Sequence, residues 1–260
     1  MSRILNVFNS PTRGAPAFIA FLTAGYPSLD ITVPAMLAMQ SNGVDIIELG
    51  MPFSDPLADG GTIAKANQGA LQNGVTMKKT LGMVAAARAA GVTVPIVLMG
   101  YINPILSWGM EGFTKECAAV GVDGFIIVDL LPEDSSEFLG HCTRNALAFI
   151  PLVAPTTPTA RLPLISSVAS AFIYCVSVTG VTGARTELPV DLADFIARIR
   201  SHSTAPLAVG FGLSTAAHVK SVGALADGVV MGSAIVRALE EGGVPSLVEL
   251  LKEVVPSKSQ

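Results

Sequence analysis

Short apolar runs rich in valine, isoleucine and phenylalanine recur along the chain, separated by segments whose apolar positions have helical spacing. Most runs are hydrophobic on both faces, which is typical of strands in a parallel sheet covered by helices. The runs predict strands at residues 17–23, 44–49, 94–99, 124–130, 148–153, 171–176, 206–211 and 228–232. The helical spacing predicts helices at residues 32–41, 77–90, 113–120, 133–144, 188–200, 215–222 and 244–255.

This alternation of strands and helices within 260 residues predicts an α/β fold. It is the pattern of a (β/α)8 TIM barrel, with an extra N-terminal helix and extended loops after strands 2 and 6. No linker rich in proline, serine and glycine divides the sequence, so we expect residues 1–260 to form one domain. Near-repeats place a small residue and an aspartate, Asp45, Asp123 or Asp227, at the bottom of a strand, and we interpret these aspartates as turn formers at the N-terminal face.

Composition and charge exclude several classes of function. The net charge of −4 argues against a nucleic-acid surface, which needs clustered cations. Residues 89–110 and 162–184 are long and poor in charge, but their prolines, glycines and polar residues favour strand plus loop over a membrane span. The apolar run at 15–24 lacks a convincing cleavage site, so we expect a cytoplasmic protein, with a signal peptide as the alternative.

The cysteines and histidines are few and scattered. Three cysteines form no disulfide framework, and no Cys/His spacing matches a metal site. No lysine ends a predicted strand, which disfavours a Schiff-base aldolase. The cysteines are Cys117, Cys142 and Cys175, and the histidines are His141, His202 and His218.

Glu48, near the end of the second predicted strand, is the first candidate for chemistry. Active sites of such barrels lie at the carboxyl ends of the strands, and period-two alternation puts Val44, Ile46 and Glu48 on one face. If that face points inward, Glu48 overhangs an apolar mouth. Burial there raises a carboxyl pKa, as a group that takes and gives a proton near neutrality requires. The alternative is a structural ion pair with an arginine.

Asp55 and Asp59 follow in a loop rich in glycine and proline. Aspartate is common in such loops because it forms turns. A second carboxylate near Glu48 would instead accept a hydrogen bond from a substrate N–H or O–H group. The sequence leaves both interpretations open.

Glycine-rich segments at 179–183, 210–212 and 232–233 follow later strands, and the last one opens a helical stretch. Their backbone N–H groups favour a phosphate site, with tight turns as the alternative. Aromatic and apolar residues lie between this site and the carboxylates, either as plain core or as the wall of a pocket for a phosphorylated aromatic ligand. They are Phe21, Met99, Tyr101, Ile126, Tyr174 and Phe211.

Several segments, in order along nearly the whole chain, resemble the tryptophan synthase alpha subunit family. They are FLTAGYP at 21–27, IELG at 47–50, FSDPLADG at 53–60, MGYINP at 99–104, GFIIVDL at 124–130, GVTG at 180–183, VGFG at 209–212 and GSAIV at 232–236.

The resemblance implies a carbon–carbon lyase that cleaves indole-3-glycerol phosphate to indole and glyceraldehyde 3-phosphate without a metal or organic cofactor. It implies that Glu48 is the proton shuttle and that Asp59 accepts the indole N–H group. The substrate-binding residues it implies are Phe21, Tyr101, Tyr174, Thr182, Gly183, Phe211, Gly212, Gly232 and Ser233.

The resemblance also implies a partner, a pyridoxal-phosphate beta subunit that receives indole, with lids at residues 55–61 and 178–189. Gly61 and Leu131 stand where the family usually has proline, which bears on coupling to that partner. Three alternatives stay open: a stand-alone indole-releasing lyase, a weakly catalytic subunit that activates its partner, and a sugar-phosphate isomerase or epimerase.

Overall fold

The computed structural model describes residues 2–10, 14–176, 191–210 and 212–256. Strands β1 to β9 are Ala17–Thr23, Ile46–Gly50, Ile96–Gly100, Gly124–Ile127, Ala148–Phe149, Leu152–Val153, Ile173–Val176, Leu207–Gly210 and Gly228–Met231. Helices α1 to α11 are Arg3–Phe8, Thr32–Ser41, Gly61–Gln72, Met77–Ala89, Ile102–Trp108, Met110–Val120, Ser136–Arg144, Leu162–Val168, Leu192–Arg200, Ala216–Gly223 and Ser233–Val254. Short 3-10 turns lie at Pro132–Asp134 and Thr159–Arg161.

The strands form one parallel sheet in the order β5, β4, β3, β2, β1, β9, β8, β7, β6. Its two end strands are consecutive in the chain, and the residues between them continue the hydrogen bonding. Ile150 N donates to Phe125 O at 2.9 Å, and Tyr174 N donates to Pro151 O at 3.0 Å. The predicted fifth strand is therefore split at Pro151, which has no N–H group. Counted as one strand, β5 and β6 close the predicted eight-stranded barrel.

The predicted N-terminal helix is present as α1, and a long loop, residues 51–60, follows the second strand as expected. The loop predicted after strand 6 lies outside the described residues. The pattern missed α3, α5 and α8. Helices α5 and α8 have seven residues each, too few for a clear period. The buried face of α3 consists of Ile63, Ala66, Asn67 and Ala70, so its apolar signal is weak.

Residues 89–110 do not form one continuous helix. They contain the end of α4, strand β3, helix α5 and the first residue of α6. Within the described ranges, no helix is long and apolar enough to cross a membrane.

The barrel interior is closed at its N-terminal end. An inner cluster of strand side chains, including Ile19, Ile46 and Val97, packs with Ile4 of α1. The ring of Phe8 lies 5.3 Å from the ring of Phe172, between centroids. Helix α1 covers this end, and among the described residues the interior opens at the carboxyl ends of the strands.

The three aspartates before strands form a repeated backbone clamp. Each carboxylate accepts the N–H of a residue on the neighbouring strand, and the aspartate's own N–H donates to the carbonyl of that same residue. The carboxylate bonds are Asp45 to Phe18 at 2.9 Å, Asp123 to Ile96 at 2.8 Å and Asp227 to Leu207 at 2.8 Å. The structure thus confirms a structural role at the N-terminal face.

Asp123 has a second structural role, because it also forms an ion pair with Arg88 of α4. Arg88 Nη2 lies 2.7 Å from Asp123 Oδ2, and the guanidinium also donates to the carbonyls of Val92, Val94 and Gly121. Burial raises the pKa of Asp123, and hydrogen bonds and cations oppose that rise. This half-buried pair ties α4 to the start of β4.

We predict that Asp123→Ala lowers the free energy of unfolding by about 2–4 kcal/mol, because it leaves the Ile96 N–H without its acceptor and removes the carboxylate that pairs with the charge of Arg88. Urea denaturation followed by circular dichroism measures the change. The exposed Asp134→Ala is the control and should leave the midpoint in place. Equal midpoints for both variants would contradict the clamp.

Candidate active site

The strands end around an open pocket with an empty volume of about 460 Å³. It lies where the barrel interior meets the loops, at the end that α1 leaves open. The residues lining it are Phe21, Glu48, Asp59, Gly60, Ile63, Met99, Tyr174, Gly212, Val230, Gly232 and Ser233.

Glu48 points from β2 into this pocket and is 1% exposed. Its backbone is in register with Phe21 of β1 and Val97 of β3. Within the described residues, Oε2 has no hydrogen-bond partner, and no arginine pairs with the carboxylate. Burial, and then the charge of Asp59, raise the pKa of Glu48 to about 8. Glu48 therefore carries its proton at neutral pH and has an oxygen available to a ligand.

The structure separates the two aspartates of the loop after β2. Asp55 is exposed, accepts from the Ser54 hydroxyl, and its carbonyl accepts from Leu57 N. Asp59 lines the pocket. Burial raises the pKa of Asp59 to about 6, against hydrogen bonds with Tyr101 and Asn67 that lower it. Asp55 is therefore a turn residue, and Asp59 is the second carboxylate of the site.

The far wall of the pocket is built from backbone. Ser233 is the first residue of α11, so the helix presents unpaired N–H groups and the positive end of its dipole beside Gly232. Gly212 has a φ of +78°, which favours glycine. This arrangement suits an anion. The other predicted anion and wall residues, Thr182, Gly183 and Phe211, lie outside the described residues.

Two glycines near the pocket make room for aromatic rings. A Cβ at Gly210 would lie 2.2 Å from the Tyr174 hydroxyl, and a Cβ at Gly50 would lie 2.7 Å from the Phe21 ring. Burial, followed by the charge of Glu48, raises the pKa of Tyr174 well above its ordinary value. Gly210, which the sequence pattern assigned to the anion, thus serves the placement of Tyr174.

Tyr101 does not line the main pocket. It lines an adjoining cavity of about 210 Å³ that shares Phe21, Asp59 and Met99 with the pocket. Its hydroxyl accepts from Ala58 N at 3.0 Å, and its ring stacks on Phe53 at 5.0 Å. Tyr101 therefore fixes the loop that carries Asp59. Ile126, another predicted wall residue, belongs to the inner cluster of the barrel.

Asn67 is a site residue that the sequence analysis missed. It is 5% exposed, and its amide nitrogen donates to Asp59 Oδ2 at 3.0 Å. A polar residue four positions after Ile63, on the buried face of α3, was the available signal, but α3 itself was not predicted.

No cysteine or histidine is among the described residues that line the pocket. All three cysteines are free and buried. Across residues 2–10, 14–176, 191–210 and 212–256, no three His, Cys, Asp or Glu side chains are grouped to hold a metal ion.

Comparison with known proteins identifies one family. The family model described as "Tryptophan synthase alpha chain" matches residues 8–255. The tryptophan synthase alpha chain of Roseiflexus castenholzii is 46% identical over 242 residues, 93% of each chain.

Two further relatives extend the comparison. The tryptophan synthase of Saccharomyces cerevisiae is 50% identical over 248 residues, which are 95% of this chain and 35% of that protein, so the chain spans little more than a third of it. A solved structure of the tryptophan synthase a2b2 complex from Pyrococcus furiosus matches with a TM-score of 0.87 and 36% identity, covering 94% of this chain and 99% of the matched chain.

We predict that Gly61→Pro stabilises the loop that carries Asp59. Gly61 is the first residue of α3, a Cβ there contacts nothing within 4 Å, and Gly60 before it is extended (φ −77°, ψ 165°). Proline is favoured at this helix position, so the free energy of unfolding should rise by about 0.4–1 kcal/mol.

Urea denaturation measures the effect of Gly61→Pro. Ala64→Pro is the matched control, since Ala64 N donates to Gly60 O at 2.8 Å and proline would remove that bond. Ala64→Pro should therefore destabilise the protein. A lower midpoint for Gly61→Pro than for the unsubstituted chain would show that the start of α3 is not built as described.

Proposed function

We propose that this chain, which belongs to the tryptophan synthase alpha chain family, catalyses the retro-aldol cleavage of indole-3-glycerol phosphate to indole and glyceraldehyde 3-phosphate. The observation that carries this carbon–carbon lyase activity is the buried, unpaired Oε2 of Glu48 in a pocket that also holds Asp59 and the start of α11. These three parts correspond to the breaking bond, the indole nitrogen and the phosphate of the substrate.

Glu48 supplies and recovers the proton that the reaction needs. The bond from indole C3 to the glycerol side chain can break only if its electron pair has an acceptor. Protonation of C3 by Glu48, whose pKa of about 8 keeps it protonated, creates an indoleninium cation as that acceptor. The carboxylate left behind then takes the hydroxyl proton of the adjacent carbon. The carbonyl forms, the carbon–carbon bond breaks, and its electron pair restores neutral indole.

Asp59 stabilises the cation in this scheme. With a pKa of about 6 it is ionised at neutral pH, while Glu48 is not. An ionised carboxylate accepts the indole N–H group and interacts more strongly with it as positive charge develops on nitrogen. One carboxyl thus works as an acid and its neighbour as an anion, because their surroundings separate their pKa values.

The backbone at Gly212, Gly232 and Ser233 provides the anion site for the phosphate. The N–H groups at the start of α11 are oriented before substrate arrives, so binding the dianion needs no lysine. Phosphate binding at this wall fixes the indole end of the substrate near the two carboxylates.

We further propose that a tryptophan synthase beta subunit docks beside the pocket. Large apolar side chains are exposed on three segments that follow the carboxyl ends of β2, β3 and β4. Leu57 is 94% exposed, Leu106 is 54% exposed and Leu131 is 50% exposed. Leu131 has an extended backbone (φ −71°, ψ 147°), so the leucine occupies a conformation that proline also adopts.

We predict that Glu48→Gln lowers kcat for indole release by about 100-fold to 10,000-fold, because the proton shuttle is lost. Asp59→Asn should lower kcat by about 100-fold to 1,000-fold, because the anion facing the indole nitrogen is lost. Indole release from indole-3-glycerol phosphate, with and without a beta subunit, measures both effects.

Asp55→Asn is the matched control for these variants, since Asp55 lies in the same loop outside the pocket, and the chain alone should keep its rate. Calorimetry should show that Glu48→Gln binds inorganic phosphate as the unsubstituted chain does. Near-normal turnover in Glu48→Gln would refute the shuttle role.

We predict that Leu106→Asp and Leu131→Asp each weaken binding of a purified beta subunit by at least about tenfold, because a carboxylate would be buried without a partner. Leu225→Asp is the control, since Leu225 is 37% exposed at the opposite end of the barrel, just before β9. Surface plasmon resonance measures the affinities. Weaker binding for the control alone would place the interface elsewhere.

A further inference from the structure

A single buried amide connects both ends of the loop that carries Asp59 to α3. Asn67 Oδ1 accepts from Phe53 N at 3.2 Å, at the start of the loop. Asn67 Nδ2 donates to Asp59 Oδ2 at 3.0 Å, at the end of the loop, and to Ile63 O at 3.1 Å within the helix. One side chain therefore closes the loop and contacts the carboxylate directly.

These three bonds fix the orientation of the amide. A flipped Asn67 would turn its oxygen toward the Asp59 carboxylate and the Ile63 carbonyl, and its N–H groups toward Phe53 N–H. Each of those contacts is repulsive. The donor end of the amide must therefore face Asp59, where it stabilises the ionised form of the carboxyl.

The other titratable groups around Asp59 differ from Asn67 in their effect. Glu48 on β2 and Tyr174 on β7 interact with Asp59 through charge, and neither donates a hydrogen bond to it in the described residues. Tyr101 lowers the pKa of Asp59 through a hydrogen bond, as Asn67 does. Because an oxygen has two lone pairs and the amide contacts only Oδ2, Asp59 keeps acceptor capacity for the pocket.

We propose that Asn67 is a positioning residue for Asp59, holding one carboxylate oxygen on α3 so that the ionised group faces the indole nitrogen. The proposal rests on the proposed function for its ligand and on the three amide bonds for its geometry. Asn67 does not touch the reacting atoms. It acts by limiting where the carboxylate lies and by favouring its charged form.

Two substitutions separate these effects. Asn67→Ala removes the amide N–H group that donates to Asp59, so the pKa of Asp59 should rise. When the pH is lowered, the variant should therefore lose activity at a higher pH than the unsubstituted chain does. We expect the acid limb of the kcat/KM profile to move up by about one pH unit, with kcat about 10-fold to 100-fold lower. Asn67→Asp keeps an acceptor for Phe53 N but places a second carboxylate beside Asp59, so its acid limb should move further.

Asn73→Ala is the matched control. Asn73 caps the C-terminal end of α3, and its amide donates to Gly25 O and Pro27 O, both at 2.9 Å, far along the helix from Asp59. This variant removes an amide clamp of the same helix and should leave the pH profile and kcat in place. Urea denaturation of each variant checks that it is folded under the conditions in which activity is compared. If Asn67→Ala fails to fold, Asn67→Asp alone decides the question.

A readout without turnover distinguishes this inference from the proposed function. Carbon-13 NMR titration of the Asp59 carboxyl carbon, assigned with Asp59→Asn, should give a higher pKa in both Asn67 variants. If the unsubstituted chain releases no indole, the proposed function fails, and the titration still tests the amide. An unchanged Asp59 titration, together with an unchanged pH profile in the Asn67 variants, would overturn the positioning role.

Discussion

The burial of the Glu48 carboxyl is the constraint around which the open end of the barrel is arranged. Removing a carboxylate from water disfavours its charged form, so the side chain keeps its proton and its pKa rises to about 8. Such burial needs a strand that places a polar residue on an otherwise apolar inner face. The barrel provides it because β2 alternates Ile46 inward, Ile47 outward and Glu48 inward, with the inner cluster beneath.

The N-terminal half of the barrel stabilises the fold and so offsets the cost of burying Glu48. Helix α1 covers the lower end, and Asp45, Asp123 and Asp227 each clamp a neighbouring strand through two hydrogen bonds. Those bonds pair the backbone N–H and C=O groups near the strand starts, which would otherwise fray. The carboxylates of this face hold backbone and arginine, whereas Glu48 and Asp59 at the opposite face line an open pocket. The same residue type thus has two roles, set by the groups available to pair with it.

Much of the fold can be predicted from the local pattern of the sequence, because strands buried on both faces form nearly continuous apolar runs. The pattern could not predict α3, whose buried face is small and partly polar, nor the split at Pro151, which depends on the closure of the sheet. Inward orientation of Glu48 followed from alternation. The choice between Asp55 and Asp59 did not, because both lie in a turn and only the tertiary path of the loop brings Asp59 under cover. That residues 1–260 form one domain stays a prediction.

Helix α3, which the sequence pattern did not predict, explains why Asn67 matters to the site. A carboxylate on a loop of ten residues has many orientations, and a pocket that distinguishes an acid from an anion needs one of them. Helix α3 supplies the rigid support, since it begins directly after the loop and returns Asn67 to the side of Asp59 within two turns. Tyr101 supports the same loop from the neighbouring strand end through Ala58 N. The separation of the two carboxyl pKa values therefore depends on burial for Glu48 and on hydrogen-bond donors for Asp59, and the two are coupled because the charge of Asp59 raises the pKa of Glu48.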